Sequence, residues 1–557
     1  MEEELANCRK MGTWEFVPQH MLPPGANLVD CKWVYKIKSD RSVIARWRAR
    51  IVARGFTQRP GVDYDEEGIY APVVSYDTFR TCLSIAAAND SEIKQADIKN
   101  AYLIGHLSEP IYMRQPPSAR MMRDSLGRPL ICKLKRPLYG LKQSGHIFAS
   151  ALHGFLVEEL GMKRLISDKC AFVKDNIEDE TSHSGEASQQ TGSTPASDSA
   201  GALRPSGGQL IVLTYVDDLT IIGTSSQVDW IMSKLRARFA LQESETGELS
   251  SMLSMEVERN RKERSLTIRQ EAAIIKIASS LGIEDEKPSV RTAMVAAPLE
   301  KLSAIEDSEE ARSFGYLNAV GSLLHIAQCT RPDISYAVGA LARHSASYGT
   351  AHIRAVKRVA QYLYNTRKLC IKYQGIIDKL HEPEVHEAGR PPQNPLSSLV
   401  ASTDADYAMD PSTRKSTSGG IIHLNNGPII WSSRLQKITA QSTAESEIIA
   451  ATEITKEVVH LDLLLAELGV RKHGPVTVQE DNQACILMGQ NMKSSRAAKH
   501  FEVRLHFLQE SIRSGVIKFK YCETNEMVAD ALTKPLEEPK FLYFRSKMLY
   551  DPGTSTT

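Results

Sequence analysis

The chain has 557 residues, 42% hydrophobic and 24% charged, which supplies apolar material for several packed cores and excludes global disorder. Lys and Arg number 68 and Asp and Glu 67, so the formal net charge of +1 excludes a uniformly basic or uniformly acidic protein. At roughly 150 residues per domain, three or four folded units are expected.

The opening MEEELANCRK is acidic and has no apolar segment of the secretory kind. From Lys32 to Arg59 nine Lys or Arg face one acid, Asp40, so a strongly basic lobe hides inside the neutral average. A solvated charged surface would read the same way. Residues 28–56 read as basic strands through WVYKI and RIVARGF, and 75–91 as an apolar-periodic helix. IKQADIKNAY reads as a strand running into a helix, and 146–160 as a helix. CAFVK and LIVLTYVDDLTIIG read as strands, the second a hairpin with its tip at Val216-Asp217-Asp218. Between them, 176–209 is rich in Ser, Gly, Thr and acids and is expected to be a disordered insertion. SSQVDWIMSKLRARF reads as a helix, and 374–395 as a linker. After it come a strand ending at Asp404, a hairpin around Asn425-Asn426-Gly427 and a long helix over 443–468. A strand ending at Asp481, a helix stopped by Gly515, the strand VIKFKYCE and a short helix MVADALTKPL follow, giving β-β-β-α-β-α-β-α. The whole is an α+β pattern.

Two groups of acids stand where folds place functional groups. Asp217 and Asp218 lie side by side in an apolar run, where burial and mutual repulsion are costly unless a cation neutralises them. Mg²⁺ suits such a pair, and two ions can stabilise both oxygens of an in-line phosphoryl displacement. A tight turn capped by the two acids is the plainer alternative. Asp404, Glu447, Asp481 and Asp530 follow the order strand end, helix, strand end, helix. Each alone reads as a surface acid; four in that order around one unit read as a site. Nine cysteines, none in CxxC spacing, argue against a disulfide framework or structural zinc and fit a reducing compartment. No stretch approaches the roughly 18 apolar residues of a membrane span.

The motifs CKWVYKIK, RARIVARGFTQRPGVDYDE, QADIKNAYLIGHLSEPIYMRQP, KLKRPLYGLKQS, YVDD, VGSLLHIAQCTRPDISYAV, TDADYA, RKSTSGG, STAESE, EDNQACI, AAKHFEVRLHF and VADALTKPL stand in order from about Trp14 to Leu536. Through them the chain resembles the reverse transcriptase and ribonuclease H part of copia-type LTR retrotransposon Pol polyproteins. The resemblance implies a right-hand polymerase, with fingers and palm over 1–245 and thumb and connection over 246–373, then the linker and an α/β ribonuclease H-like domain over 396–550. It implies an RNA-directed DNA polymerase whose catalytic metal ligands are Asp97, Asp217 and Asp218, and a ribonuclease H with Asp404, Glu447, Asp481 and Asp530 in that role. It implies nucleotide binding by Tyr102, a gate against the 2′-hydroxyl, by Gln143, and by Arg48, Arg50 and Arg54. The implied cofactor is Mg²⁺, with Mn²⁺ as a substitute, and the partners are an RNA template, a DNA primer, an RNA–DNA hybrid and deoxynucleoside triphosphates, without a membrane. A cytoplasmic setting is implied, with virus-like particles and nuclear access as options. Three features depart from the family: Ser254 stands at a glycine position of a segment that grips the primer end, Ser144-Gly145-His146 replaces Ala-Pro-Arg, and Tyr407 stands where Trp is commoner. The alternatives are an inactive copy that only holds nucleic acid, and a scaffold docking partners through 176–209.

Overall fold

The computed structural model describes the chain except residues 41–42, 118–120, 176–208, 296–298, 376–398, 471–473, 491–500 and 555–557, with 38–40 and 43–46 described by backbone alone. The expected insertion and nearly all of the expected linker lie outside the described residues. The chain divides into two compact units, residues 1–74 with 94–248 and residues 75–93 with 249–557. Among the described residues no helix is long and apolar enough to cross a membrane.

In the first unit one sheet has the order Trp14–Pro18, Leu130–Leu134, Ile111–Met113, Leu28–Val29. Cys31–Asp40 and Val43–Ala53 form a separate ribbon in which Lys36 pairs with Arg48, Val34 with Arg50 and Ile37 with Trp47. Opposed residues share a face and successive residues alternate, so Lys36, Arg48 and Arg50 line one face and Tyr35, Ile37 and Trp47 the other. A second sheet has the order Gly247–Glu248, Glu92–Asp97, Asp218–Gly223, Leu210–Tyr215, Ala171–Lys174, Lys163–Arg164. Its β-branched and Leu-rich central strands are buried because helices Ser144–Gly154 and Ser225–Arg238 cover them, with Phe148, Leu152, Val212, Ile221, Val228 and Ile231 in one core. Thr224 and Gln227 close a reciprocal cap that starts the second helix sharply. The strands Ala171–Lys174 and Leu210–Tyr215 pair directly, Lys174 with Leu210. The expected helix after Asp97 is only a 3₁₀ turn, Ala101–Leu103, because Asn100 at φ +58° takes the left-handed conformation just ahead of it.

In the second unit the sheet Ser251–Met252, Met255–Asn260, Ser265–Arg269, Ile371–Gln374 accompanies helices Glu271–Ser280, Tyr316–Cys329, Ser335–Ala342 and Thr350–Asn365. Ile274, Leu323, Ile326, Val338, Ile353 and Val356 knit these helices into one core. Inside this unit the fully buried Arg331 is bonded in a fork to Asp333 at 2.9 and 2.7 Å, and the Tyr362 hydroxyl donates to the same carboxylate at 2.6 Å. The helix Tyr76–Asn89, early in sequence, belongs to this unit as well. Its buried Arg80 donates to the carbonyls of Ile429 at 2.7 Å and Gln328 at 2.6 Å and lies over the Trp431 ring. Ser84 donates to the Leu424 carbonyl.

A five-stranded sheet completes the unit in the order Gly427–Leu435, Thr417–Leu424, Val400–Ala405, Val476–Glu480, Ile517–Tyr521. The first three strands are antiparallel and the last two join in parallel. Asn425 and Asn426, both at positive φ, make the two-residue turn that their sequence forecast. The helix Thr443–Glu467, capped by the Ser442 hydroxyl, connects the antiparallel meander to the first parallel strand. Two elements differ from expectation. A short helix, Gln483–Gln490, follows Asp481, begun where Asn482 Oδ1 accepts from the Cys485 amide at 3.0 Å. VADAL is a 3₁₀ turn, Val528–Leu532, with Pro535 barring an α-helix through it, and the helix resumes at Glu538–Met548.

The residue at the family's glycine position has a local cost. Leu253 and Ser254, at φ +56° and +62°, form a two-residue turn between paired Met252 and Met255. A left-handed backbone at a residue with a Cβ costs roughly 1–2 kcal/mol. Ser254→Gly should therefore stabilise the chain by about 1 kcal/mol in urea unfolding, part of the gain being offset by unfolded-state entropy. Asp333→Ala strands a buried guanidinium and should cost about 3–5 kcal/mol in the same measurement.

Candidate functional site

Three acids from three elements of the second unit converge. Asp404 lies in the strand Val400–Ala405, Glu447 in the first turns of the helix Thr443–Glu467, and Asp481 just past the strand Val476–Glu480. One carboxylate oxygen from each lies within 4.8 Å of the others. The parallel pairing of Val400–Ala405 with Val476–Glu480 explains the first two strand positions: both strands run the same way, so their C-terminal ends lie side by side. Asp404 and Glu447 are buried, and Glu447 Oε2 has no hydrogen-bond partner.

Two glycines let the other elements reach this edge. Gly419 is the cross-strand partner of Asp404. A Cβ on it would stand 2.7 Å from Thr533 Cγ2 and 2.9 Å from the Ala529 carbonyl oxygen, so glycine is what admits the 3₁₀ turn bearing Asp530. A Cβ on Gly420 would stand 2.8 Å from Ile454 Cδ1, in the helix that carries Glu447. The RKSTSGG run was visible in sequence, but its role as a gap for two neighbouring elements depends on the tertiary fold.

The electrostatics follow from burial. Burial pushes the Glu447 carboxyl up to about 11, aided by Glu480, Asp404 and Asp481. Burial also raises Asp404 to about 7, with Asp530 adding to the rise and Lys534 opposing it. Glu480, which sequence reasoning did not single out, is fully buried with its carboxyl well above the usual range, chiefly through burial. Its place as the last residue of a strand next to Asp481 was the signal available. Asp530 adjoins the trio through Asp404, with which its carboxyl shares a hydrogen bond. Burial works against its charge, yet Lys534 and Lys540 hold its carboxyl below the usual range. Lys540 Nζ donates to Asp530 Oδ2 at 2.5 Å, and Lys534 Nζ stands 2.7 Å from Oδ1. The Thr533 hydroxyl donates to Asp404 Oδ2 at 2.5 Å. The four acids expected from sequence thus meet as a close trio with Asp530 at its Asp404 edge, where two lysines reach it.

In the first unit, Asp97 ends the strand Glu92–Asp97 and Asp218 begins the adjoining strand Asp218–Gly223. The Ile98 amide donates to the Asp217 carbonyl at 3.0 Å, which ties the hairpin tip to the end of the Asp97 strand. Tyr215 pairs with Asp218, and Val216 at φ +56° turns the chain between them. Three acids thus share one end of the sheet, although the close trio found among the described residues is the other one. Tyr102 packs edge-on against Tyr139 at 5.1 Å and Phe148 at 6.4 Å, and its hydroxyl is raised by burial and by Asp217. The Arg50 guanidinium lies 4.2 Å from the centre of the Tyr139 ring, Arg48 shares its face of the ribbon, and Arg54 is exposed beyond the ribbon's end. Gln143 is committed internally: Oε1 accepts from Gln58 at 3.1 Å and Nε2 donates to the Asp63 carbonyl at 2.8 Å.

Residues 12–180 match the family model Reverse transcriptase (RNA-dependent DNA polymerase). The chain is 33% identical over 97% of its length to the Retrovirus-related Pol polyprotein from transposon TNT 1-94 of Nicotiana tabacum, and 31% identical over 96% to that from transposon RE1 of Arabidopsis thaliana. The chain belongs to the copia-type retrotransposon Pol family. This Pol chain spans about a third of the length of those relatives, 37% and 32% respectively. A more distant likeness, 23% over 98% of the chain, is to the Transposon Ty1-JR2 Gag-Pol polyprotein of Saccharomyces cerevisiae, of which 28% is covered. Among solved structures, a foamy viral protease–reverse transcriptase in complex with RNA/DNA hybrid aligns with 93% of the chain and 52% of its own, at 12% identity and a TM-score of 0.40. LC11-RNase H1 in complex with RNA/DNA hybrid aligns with 24% of the chain and 93% of its own, at 14% identity and a TM-score of 0.20. Both scores fall below the level that shows a shared fold.

The carboxyl groups of the Pol trio give its stability a specific pH dependence. An acid whose folded pKa is raised favours the fold below its unfolded pKa and loses that contribution as pH climbs toward the folded value. For Asp404 the loss runs from about 4 to about 7, and for Glu447 from about 4.5 to about 11. In chelator, the melting temperature should fall between pH 5 and pH 8, and Glu447→Gln should flatten the slope. Differential scanning calorimetry across that range reads both.

Proposed function

We propose that the chain is an RNA-directed DNA polymerase joined to a ribonuclease H, both acting on phosphodiester chemistry with divalent cations. The observation that carries the reading is the meeting of Asp404, Glu447 and Asp481 within 4.8 Å in a chain whose residues 12–180 match the reverse transcriptase family. The donor set suits Mg²⁺ or Mn²⁺: it is all carboxylate oxygen, and the buried Glu447 Oε2 lacks a partner. When bound, the cations supply charge neutralisation to a pentavalent phosphate and lower the pKa of a water.

In the ribonuclease, Asp404, Glu447, Asp481 and Asp530 would hold the cations against the scissile phosphate of an RNA–DNA hybrid. The sheet edge fixes the first and third of these acids, and the long helix fixes the second. Restriction to the RNA strand comes from recognition of the 2′-hydroxyl and hybrid shape. A right-hand polymerase, with fingers and palm over 1–245 and thumb and connection over 246–373, precedes the ribonuclease region. In the polymerase, Asp97, Asp217 and Asp218 hold the cations at the primer end. Arg48 and Arg50, on the basic face of the ribbon, attract the triphosphate of a deoxynucleotide, with Arg54 beside them. Tyr102, braced by Tyr139 and Phe148, blocks a ribose 2′-hydroxyl by volume. Gln143 supports the nucleotide site from behind, through Gln58 and the Asp63 carbonyl. The protein works in the cytoplasm of its host, in particles that carry its RNA template.

Asp404→Asn should abolish cleavage of a labelled hybrid while primer extension on an RNA template continues, and Asp217→Asn should do the reverse, each by orders of magnitude. Loss of both activities in either single variant would sink the division into two sites. Tyr102→Ala should raise ribonucleotide incorporation relative to deoxynucleotide incorporation. An unchanged ratio in competitive extension would move the gate elsewhere.

A further inference from the structure

We infer that Lys534 is a built-in counter-ion that stands between Asp404 and Asp530, where a second cation would bind. The site then takes one divalent cation at Asp404, Glu447 and Asp481, and a second only when Lys534 withdraws. This rests on the ribonuclease reading and adds to it an order of loading.

Two lysines from different elements reach the same carboxylate. Lys534 follows the 3₁₀ turn Val528–Leu532, and Lys540 lies in the first turn of the helix Glu538–Met548. Lys540 donates a hydrogen bond to Oδ2 of Asp530, while Lys534 stands 2.7 Å from Oδ1 as an ion pair and leaves that oxygen without a hydrogen bond. Asp530 is fully buried, so no water competes for those oxygens. The two lysines differ in reach. Lys540 Nζ touches Asp530 and faces the Phe544 ring at 5.3 Å, away from the trio. Lys534 Nζ also stands 3.9 Å from Asp404 Oδ2, so it spans the gap between Asp530 and the trio. A divalent cation bridging Asp404 and Asp530 would need that same space, and an ammonium and a dication repel each other there. Thr533 fixes the division further, because its hydroxyl takes Asp404 Oδ2, the oxygen that faces Lys534. Lys534 is about one-third exposed at its side chain, so it has a route out to solvent, while Asp530 has none.

The test uses the full chain carrying Asp217→Asn and Asp218→Asn, which silences the other acids, and titrates Mn²⁺ by electron paramagnetic resonance and calorimetry. The parent should bind one Mn²⁺ tightly. Lys534→Met should gain a second ion, or tighten the second site by roughly ten-fold or more. Lys534→Arg, which keeps the cation, should behave as the parent, and Lys540→Met should change less than Lys534→Met. If Lys534→Met is poorly folded by circular dichroism, Lys534→Gln takes its place. A parent-like titration in a folded Lys534 variant overturns the inference. Asp404→Asn separates the two levels. If it leaves Mn²⁺ binding unchanged, the cation site itself is wrong; if it removes the ion while Lys534→Met changes nothing, only the role of the lysines fails.

Discussion

Repulsion among carboxylates withdrawn from water is the constraint around which the second unit is arranged. Two unit charges about 4 Å apart repel by about 4 kcal/mol at an effective dielectric of 20. Asp404, Glu447 and Asp481 lie within such distances, with Glu480 buried beside them. Nothing local would hold acids there. The parallel strands Val400–Ala405 and Val476–Glu480 fix two of them through backbone pairing, and the apolar face of the helix Thr443–Glu467, with Ile448, Ile454, Val458 and Leu461 buried, forces in the third. Packing elsewhere thus offsets strain stored at the edge, as functional sites commonly require.

The first unit meets a related problem by different means. Its acids sit at a hairpin tip and the neighbouring strand end, where solvent reaches them, and Asp217 is half-buried in contrast to the fully buried Asp530. The backbone carries the arrangement: the Asp217 carbonyl is bonded to the Ile98 amide, and Val216 accepts a left-handed conformation that a β-branched residue avoids. A backbone outlier immediately ahead of two acids is the kind of local cost that surrounding sheet structure must over-determine.

Much of this was legible from residues alone where a signal was local. Asn425-Asn426-Gly427 announced its turn, apolar residues at helical spacing announced the long helix over 443–468, and the apolar runs flanking Asp217-Asp218 announced a hairpin. Four acids in order pointed to one edge. What sequence could not supply was distance. Asp530 carries the expected residue type at the expected place, but only the fold shows Lys540, ten residues on, returning to its carboxylate. Gln143 has the right chemistry for a ligand, yet Gln58 and Asp63, some eighty residues earlier, already use its amide. The helix Gln483–Gln490 was too short for periodicity to reveal, and VADALTKPL looked helical until Pro535 and its neighbours confined it to a 3₁₀ turn.

The helix Tyr76–Asn89 has a consequence for how such a chain can be inherited. Because residues 75–93 lie within the span of the first unit but are built into the second, the polypeptide passes between units three times, at 74/75, 93/94 and 248/249. A single crossover between two related elements, wherever it falls between that helix and Ile429, would join one parent's Arg80 to the other parent's Ile429 carbonyl and Trp431 ring. The early helix and the late sheet are therefore expected to be exchanged together or not at all, so a gene that looks like two modules in tandem is heritable only as an interleaved whole.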